Sequence, residues 1–528
     1  MRDRLILLAC SLLVLAPGMH VSLFDRDEGW YGQVVREMLA SGDWLVPTYL
    51  GEPWLLKPPL VYWLAAGLAK VFGLHEWVLR AVSVGSMCVA VQLVATLGAR
   101  LFDVRTGRVG ALIFVTAGLP ALIGRMFLMD SLLLVLLLGA AVVLERMWRD
   151  RFTARRGAAF WMLIGVATLT KGPAIAVYVG GMLGACWFAG GWVVVSRWAF
   201  WASAPLGFVA PALWFAAVAM RAGGDLWQHY FMHELFSRFS GPVHGHVGPP
   251  GYYAVFALLG LAPWTVAGPR AVMEAWRVRR VDAATAFVLW WLVLPWAALE
   301  LVPGKLPHYW LPCYAPPSLL IARLCREFSG RALSAAEVRG LWAWAGTPIV
   351  VGLVLVGFAI APLGTPFEVR LSLGLAALVL IVGAVWALRR VGDGDLLRVA
   401  QRMGGGMVAG WAVLGALVLP AMEPYRLSRQ VAEAVNELDP AAGVLASGFD
   451  EPTLFFYLGR PAQAVNPKVL AQALAERGAA TILVLGEKQA EGLAGREHWE
   501  WRTIRGLQYV RGRMETVWIG RPHGGAGD

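Results

Sequence analysis

Charge is scarce in this sequence. Of its 528 residues only 15% are Asp, Glu, Lys or Arg, against about 25% in a soluble globular chain. That shortage excludes an ordinary soluble protein. Disorder is excluded as well, because a disordered chain is short of apolar residues and this one is not. Cysteine is sparse: Cys10, Cys88, Cys186, Cys313 and Cys325 lie within or at the edge of apolar stretches, and no pair has metal-ligand spacing. Neither a disulfide framework nor a zinc site is expected. The GxxxxGK[ST] phosphate loop, HExxH and GxSxG are all missing. So is any internal repeat of 20–50 residues, and low complexity is confined to the Gly-rich last residues.

What is abundant is apolar surface. Hydrophobic residues make up 58% of the chain, with 26 Trp and 22 Phe, and the mean hydropathy is +0.59. Crossing a bilayer takes about 20 apolar residues per helix, and the runs yield about thirteen spans. They lie near 4–23, 77–100, 107–123, 131–148, 157–170, 173–190, 198–220, 251–270, 283–302, 309–325, 341–361, 370–388 and 403–421. The first has a basic start but no small-residue cleavage site, which predicts a retained anchor. The net charge is +11, with +12 before residue 422 and −1 after it. The arginines gather in alternate loops: Arg100, Arg105 and Arg108; Arg146 to Arg156; Arg277 to Arg280; Arg326 to Arg339; Arg389 to Arg402. By the positive-inside rule these loops and the N-terminus are cytoplasmic, a better account of the positive charge than nucleic-acid binding.

Two external segments are too long to be turns, 24–76 and 221–250. The first contains a helical pattern from Asp27 to Leu39 with Val34, Val35, Met38 and Leu39 on one face, then an apolar stretch, Leu60–Phe72, too short to span and read as an interfacial helix. From residue 422 to 528 the character changes. Tyr425–Leu438 reads as an amphipathic helix, Val444–Ser447 and Thr481–Leu485 as buried strands, Val469–Arg477 as a helix between them, and Trp499–Ile504 and Thr516–Ile519 as further strands. The expected architecture is therefore an all-α polytopic membrane domain over 1–421, carrying 24–76 and 221–250 as external catalytic loops, plus a small external α/β domain over 422–528.

Ionisable groups at membrane depth are costly and usually functional. Here they gather on the external side: Asp27, Glu28, Lys57, Asp130, Lys171, His233, Glu234, Arg238, Lys305, His308 and Tyr309. Each has an ordinary explanation when taken alone. Asp27 and Glu28 fit a helix start, Lys57 and Lys305 fit snorkelling anchors, Asp130 fits a cap paired with Arg125, and His244 and His246 fit exposed loop residues. Tyr309 and most tryptophans fit an aromatic belt. Their concentration on one face is the informative feature. Carboxylates, cations and a tyrosine at a water–membrane boundary suit a reaction on a lipid-linked anion. With no standard nucleotide site, an activated donor other than a nucleotide sugar is favoured.

At these residues a family resemblance emerges. Asp27-Glu28-Gly29-Trp30-Tyr31 with Arg36 to Trp44, Lys57-Pro58-Pro59-Leu60, Met129-Asp130, Thr170-Lys171-Gly172 and Lys305-Leu306-Pro307-His308-Tyr309 occur in the order seen in the GT-C polyprenyl-phosphate-sugar glycosyltransferases. Within that superfamily the chain resembles the lipid A aminoarabinose transferases and the related protein O-mannosyltransferase-like group. The resemblance implies a donor sugar on a polyprenyl monophosphate such as undecaprenyl phosphate, direct inverting transfer, and no further cofactor. It implies Asp27 and Glu28 as catalytic acids, Lys57, Lys171, Tyr309 and Lys305 near the donor phosphate, and Asp130, Glu234, Arg238 and His308 orienting the loop or the acceptor. The acceptor would be lipid A or another envelope glycan at the periplasmic face of the bacterial inner membrane, with the C-terminal domain on that side. Two departures stand out. Trp30 occupies a position where relatives often carry Arg. Leu56 and Leu235 occupy positions where metal-binding relatives carry Glu and His, so no metal is expected there.

Two other functions compete. One is protein O-glycosylation within the same family. The other is a lipid-linked sugar transporter or flippase, which would more often place charges on broken helices at mid-membrane in repeated halves.

Overall fold

The computed structural model describes residues 1–223, 248–330, 334–361, 366–391, 394–477, 481–508 and 513–523. The chain forms two compact units. The larger comprises Met1–Met19, Leu56–Val61 and Arg80–Val418; the smaller comprises His20–Leu55, Tyr62–Leu79 and Leu419–Asp528.

The larger unit is helical. Among the described residues eight helical stretches are long and apolar enough to cross a membrane: Glu76–Leu101, Met129–Arg149, Ala154–Val195, Trp198–Arg221, Ala283–Leu301, Ala335–Ile360, Phe367–Leu388 and Leu396–Ala421. A ninth results if Val104–Thr116 and Gly118–Gly124, bent by 67°, are one span. The thirteen expected runs are all accounted for, but not as thirteen full-length helices. The runs at 157–170 and 173–190 join into one helical stretch of 42 residues. Gly172 takes a positive φ, 65°, and opens a 3₁₀ turn with Pro173 near its start, where a missing amide hydrogen does no harm. The runs at 4–23, 251–270 and 309–325 shorten to Arg2–Leu15, Tyr252–Leu261 and Ala315–Phe328. Prolines at 17, 263 and 312 lie where those runs break off.

The smaller unit is built on a five-stranded sheet. Gly443–Ser447 (β3), Ala462–Ala464 (β4), Thr481–Gly486 (β5), Trp499–Gln508 (β6) and Arg513–Pro522 (β7) lie in the order β4-β3-β5-β7-β6. β3 runs parallel to β4 and β5, and β7 pairs antiparallel with β5 and β6. The register sets Val444 beside Ile482 and Leu485 beside Trp518. Every residue of β5 is buried, as a central strand covered on both faces requires. Val431, Val435, Leu454, Phe455, Ile482, Val484, Val517 and Ile519 fill one side; Leu445, Leu483 and Leu485 fill the other with Trp501 and Trp518.

The expected helix and strands of this tail are present. The helix Pro452–Leu458 and strand β4 escape the sequence reading, because seven residues following a proline are too few to show a period.

The same unit contains the acidic helix Asp27–Ser41. Asp27 and Glu28 sit in its first turn, where they complement the positive end of the helix dipole. Tyr31, Val34, Val35 and Met38 form its buried stripe, and Gly42 ends it in the left-handed conformation, φ 70°. A short hairpin follows, Thr48–Tyr49 (β1) paired with Glu52–Pro53 (β2). Glu37 holds it: its carboxylate accepts from the Leu50 amide at 2.7 Å, the Thr48 hydroxyl at 2.8 Å and the Gly51 amide at 3.1 Å.

Candidate functional site

In the larger unit five of the expected residues come together. Asp130 opens Met129–Arg149 and is 3% exposed. Lys171 closes the helix Ala154–Lys171 and forms a buried ion pair with it. Lys57 and His308 both lie close enough to act electrostatically on the Asp130 carboxylate. Tyr309 places its ring 4.4 Å from the Lys171 ammonium, and the His308 ring meets it edge-on at 4.8 Å.

The backbone of this corner is fixed too. Tyr309 lies in the 3₁₀ turn Pro307–Cys313, and the Tyr178 hydroxyl donates to the Tyr309 carbonyl at 2.6 Å. Tyr178 escaped the sequence reading, since nothing separates it there from the aromatic belt. Arg125 is not the partner of Asp130; it donates to the carbonyls of Ala121 and Val14. Two lysines and a histidine act on one carboxylate here, a gathering of cationic side chains suited to an anion.

Lys305 is 4% exposed and committed elsewhere. Its ammonium lies 2.8 Å from Glu300 and 3.1 Å from the Pro249 carbonyl. Glu300 in turn accepts from the Tyr253 amide at 2.9 Å. Glu234 and Arg238, with His233, His244 and His246, lie outside the described residues.

In the smaller unit Asp27 and Glu28 differ sharply. Glu28 is 0% exposed and turns back on its own loop, accepting from the Phe24 amide at 2.8 Å. Asp27 is half-buried, and among the described residues its carboxylate has no hydrogen-bond or ion-pair partner. A carboxylate in that state can take a proton; one locked to its own backbone is better suited to shaping the loop. Asp25, overlooked in the sequence, also belongs to this loop. Burial, with repulsion from Glu451, pushes its carboxyl up to about 8, although Thr453, Arg426 and Arg26 pull the other way. Trp30, the residue found in place of the frequent Arg, stacks against Trp54 with ring centres 5.8 Å apart.

Comparison with known proteins sharpens this. Residues 56–218 match the family described as dolichyl-phosphate-mannose-protein mannosyltransferase. Over its whole length the chain shares its fold with ArnT from Cupriavidus metallidurans, a structure bound to undecaprenyl phosphate. The TM-score is 0.79, 99% of each chain is covered, and the identity is 20%. Many membrane-length helices and a small sheet-bearing unit in this fold define a membrane protein of the GT-C fold class.

Two sequence relatives are closer. The undecaprenyl phosphate-alpha-4-amino-4-deoxy-L-arabinose arabinosyl transferase of Enterobacter sp. (strain 638) is 32% identical over 60% of this chain and 58% of its own length. That of Edwardsiella ictaluri (strain 93-146) is 31% identical over 69% of this chain and 67% of its own length. The chain belongs to this aminoarabinose transferase family.

Proposed function

We propose that the protein moves a sugar from a polyprenyl-phosphate donor to an envelope acceptor such as lipid A or lipopolysaccharide, with inversion at the anomeric carbon. The observation that carries this reading is the Lys57–Asp130–Lys171–His308–Tyr309 cluster in a membrane protein of this family. In the proposed reaction an acceptor oxygen forms a bond to the anomeric carbon. The bond to the phosphate oxygen breaks on the opposite face, and its electron pair leaves with the polyprenyl phosphate. Lys57 and Lys171 stabilise the charge gained by that phosphate, and Tyr309 donates to it. Asp27 takes the acceptor proton or, for an acceptor that needs little base help, orients it. Glu28 shapes the loop. Lys305 and Glu300 brace the turn that precedes Tyr309. The Arg-rich loops support a cytoplasmic N-terminus, which puts the reaction and the domain over 422–528 on the periplasmic side.

The test is mass spectrometry of lipid A and other envelope glycans from a strain without this activity, expressing wild type, Asp27→Ala or Lys57→Ala. One added sugar with wild type alone identifies both substrates. A sugar found on protein instead would move the assignment to O-glycosylation. No transfer to any acceptor at normal expression would favour a transporter of lipid-linked sugar.

A further inference from the structure

The loop that carries Asp27 is held from the far end of the sequence. Ser22 donates its amide to both oxygens of Glu423, at 3.2 and 3.1 Å, and its hydroxyl to the same carboxylate. Arg426 donates to the Ser22 carbonyl and lies 4.3 Å over the Phe24 ring. The Leu23 amide donates to the Tyr457 hydroxyl at 2.7 Å. Tyr457 in turn donates to Glu76 at 3.2 Å. Thr453 donates its hydroxyl to Asp25 and shares a 2.7 Å hydrogen bond with Ser428. Gly29 lies so close to this helix that an added Cβ would be 2.6 Å from the Thr453 backbone nitrogen.

These contacts fall on consecutive residues, 22 to 25, immediately before Asp27. They come from one small surface of the C-terminal tail, its helices Leu427–Leu438 and Pro452–Leu458 and the turn Glu423–Tyr425 just before them. An extended stretch with its amides and carbonyls unpaired would be free to move. Here side chains of the tail take the Ser22 amide, hydroxyl and carbonyl, the Leu23 amide and the Asp25 carboxylate. Tyr457 is central, because one phenol oxygen accepts from the Leu23 amide and donates to Glu76. Its position fixes the loop to the start of the helix Glu76–Leu101.

We propose that the C-terminal α/β domain is the holder of the acidic loop, with Tyr457 and Thr453 as positioning residues for Asp27. This rests on the transferase reading for its catalytic consequence, but the holding itself is measurable without turnover. Positioning matters here because displacing a reacting group by about 1 Å can cost on the order of a hundredfold in rate.

The experiment uses full-length protein in lipid nanodiscs, with undecaprenyl phosphate-linked aminoarabinose as donor and lipid A as acceptor. Tyr457→Phe keeps the ring and loses the oxygen; Thr453→Val loses the hydroxyl, and Thr453→Ser restores it. In Tyr457→Phe the segment 22–29 should exchange its amide hydrogens about tenfold faster, while β3 and β5 keep their protection. Its kcat should fall about tenfold with the donor KM within about twofold of wild type. Thr453→Val should lose rate similarly and Thr453→Ser recover it. Unchanged exchange over 22–29 in Tyr457→Phe overturns the proposal. So does faster exchange with an unchanged kcat. Absence of transfer by the wild type itself would refute the transferase reading instead, and the exchange result would still decide whether Tyr457 holds the loop.

Discussion

Lys171 holds its ammonium 4.4 Å from the centre of the Tyr309 ring. The ring face attracts the cation, and in a desolvated site that attraction reaches about 2 kcal/mol. In the proposed reaction Tyr309 therefore has two separable roles, a ring for Lys171 and a hydroxyl for the donor phosphate. Tyr309→Phe removes only the hydroxyl and should raise the donor KM by about tenfold, the worth of a hydrogen bond to a charged group. Tyr309→Leu removes both and should be several times worse. Steady-state kinetics with the lipid-linked donor would decide; equal KM values for the two variants would refute the role of the ring.

The Asp130–Lys171 pair is almost wholly buried, with side chains 4% and 8% exposed. Removing one partner strands the other. Asp130→Ala should cost about 3–5 kcal/mol of stability, whereas Asp130→Leu with Lys171→Met should recover most of that loss. Unfolding of the detergent-solubilised protein measures both. The double variant should be stable and inactive, because the cation proposed to meet the phosphate is gone.

Lys305 should behave differently from Lys57. Its ammonium already serves Glu300 and the Pro249 carbonyl. Lys305→Met should lower the unfolding temperature, and Glu300→Gln should do so less, since it keeps an acceptor for the Tyr253 amide. Lys57→Met should raise the donor KM. A Lys305 variant of normal stability with a raised KM would return that residue to the phosphate.

Asp25 gives a pH dependence of known sign. Its carboxyl is pushed from 3.8 up to about 8 in the folded protein. Between those values the folded chain holds a proton that the unfolded chain has lost, so stability falls as pH rises through that window. The contribution is complete below about pH 4 and absent above about pH 8. Thermal unfolding of wild type and Asp25→Asn across this range is the measurement. Their difference should change with pH, and parallel curves would sink the assignment.

Gly29→Ala should fail for a steric reason. The new methyl would meet the Thr453 nitrogen at 2.6 Å and the Pro452 carbonyl carbon at 2.9 Å, both backbone atoms. Overpacking of this kind costs about 1–3 kcal/mol, and the loss should show in the smaller unit's exchange protection.

The sequence revealed the class of the fold because the signals behind it are long. Twenty apolar residues, or TILVL between polar neighbours, leave little choice. It also singled out Asp130 and Lys171, which do meet, because charge amid apolar residues stands out, whereas Tyr309 takes its role from the family resemblance. It did not reveal Asp25, Thr453 or Tyr457. Their meaning lies in pairings across some 430 positions, which no local period records. Nor did it show how spans break. Pro17 and Pro312 mark ends, but at Gly172-Pro173 the chain only passes through a 3₁₀ turn before the helical stretch resumes at Ala176.

The distance along the chain between Leu23 and Tyr457 has a consequence for biosynthesis. A nascent chain exposes Asp27 early and makes Tyr457 only after the last membrane-length helix, Leu396–Ala421, has been translated. Until then the bonds that the tail makes to residues 22 to 25 cannot form. A polypeptide halted after Met422 would carry every such helix among the described residues and the whole Lys57–Asp130–Lys171 corner, yet Asp27, the proposed base, would lack this hold. Competence would thus arrive with the final hundred residues, so that an unfinished enzyme could occupy the bilayer without turning over its lipid.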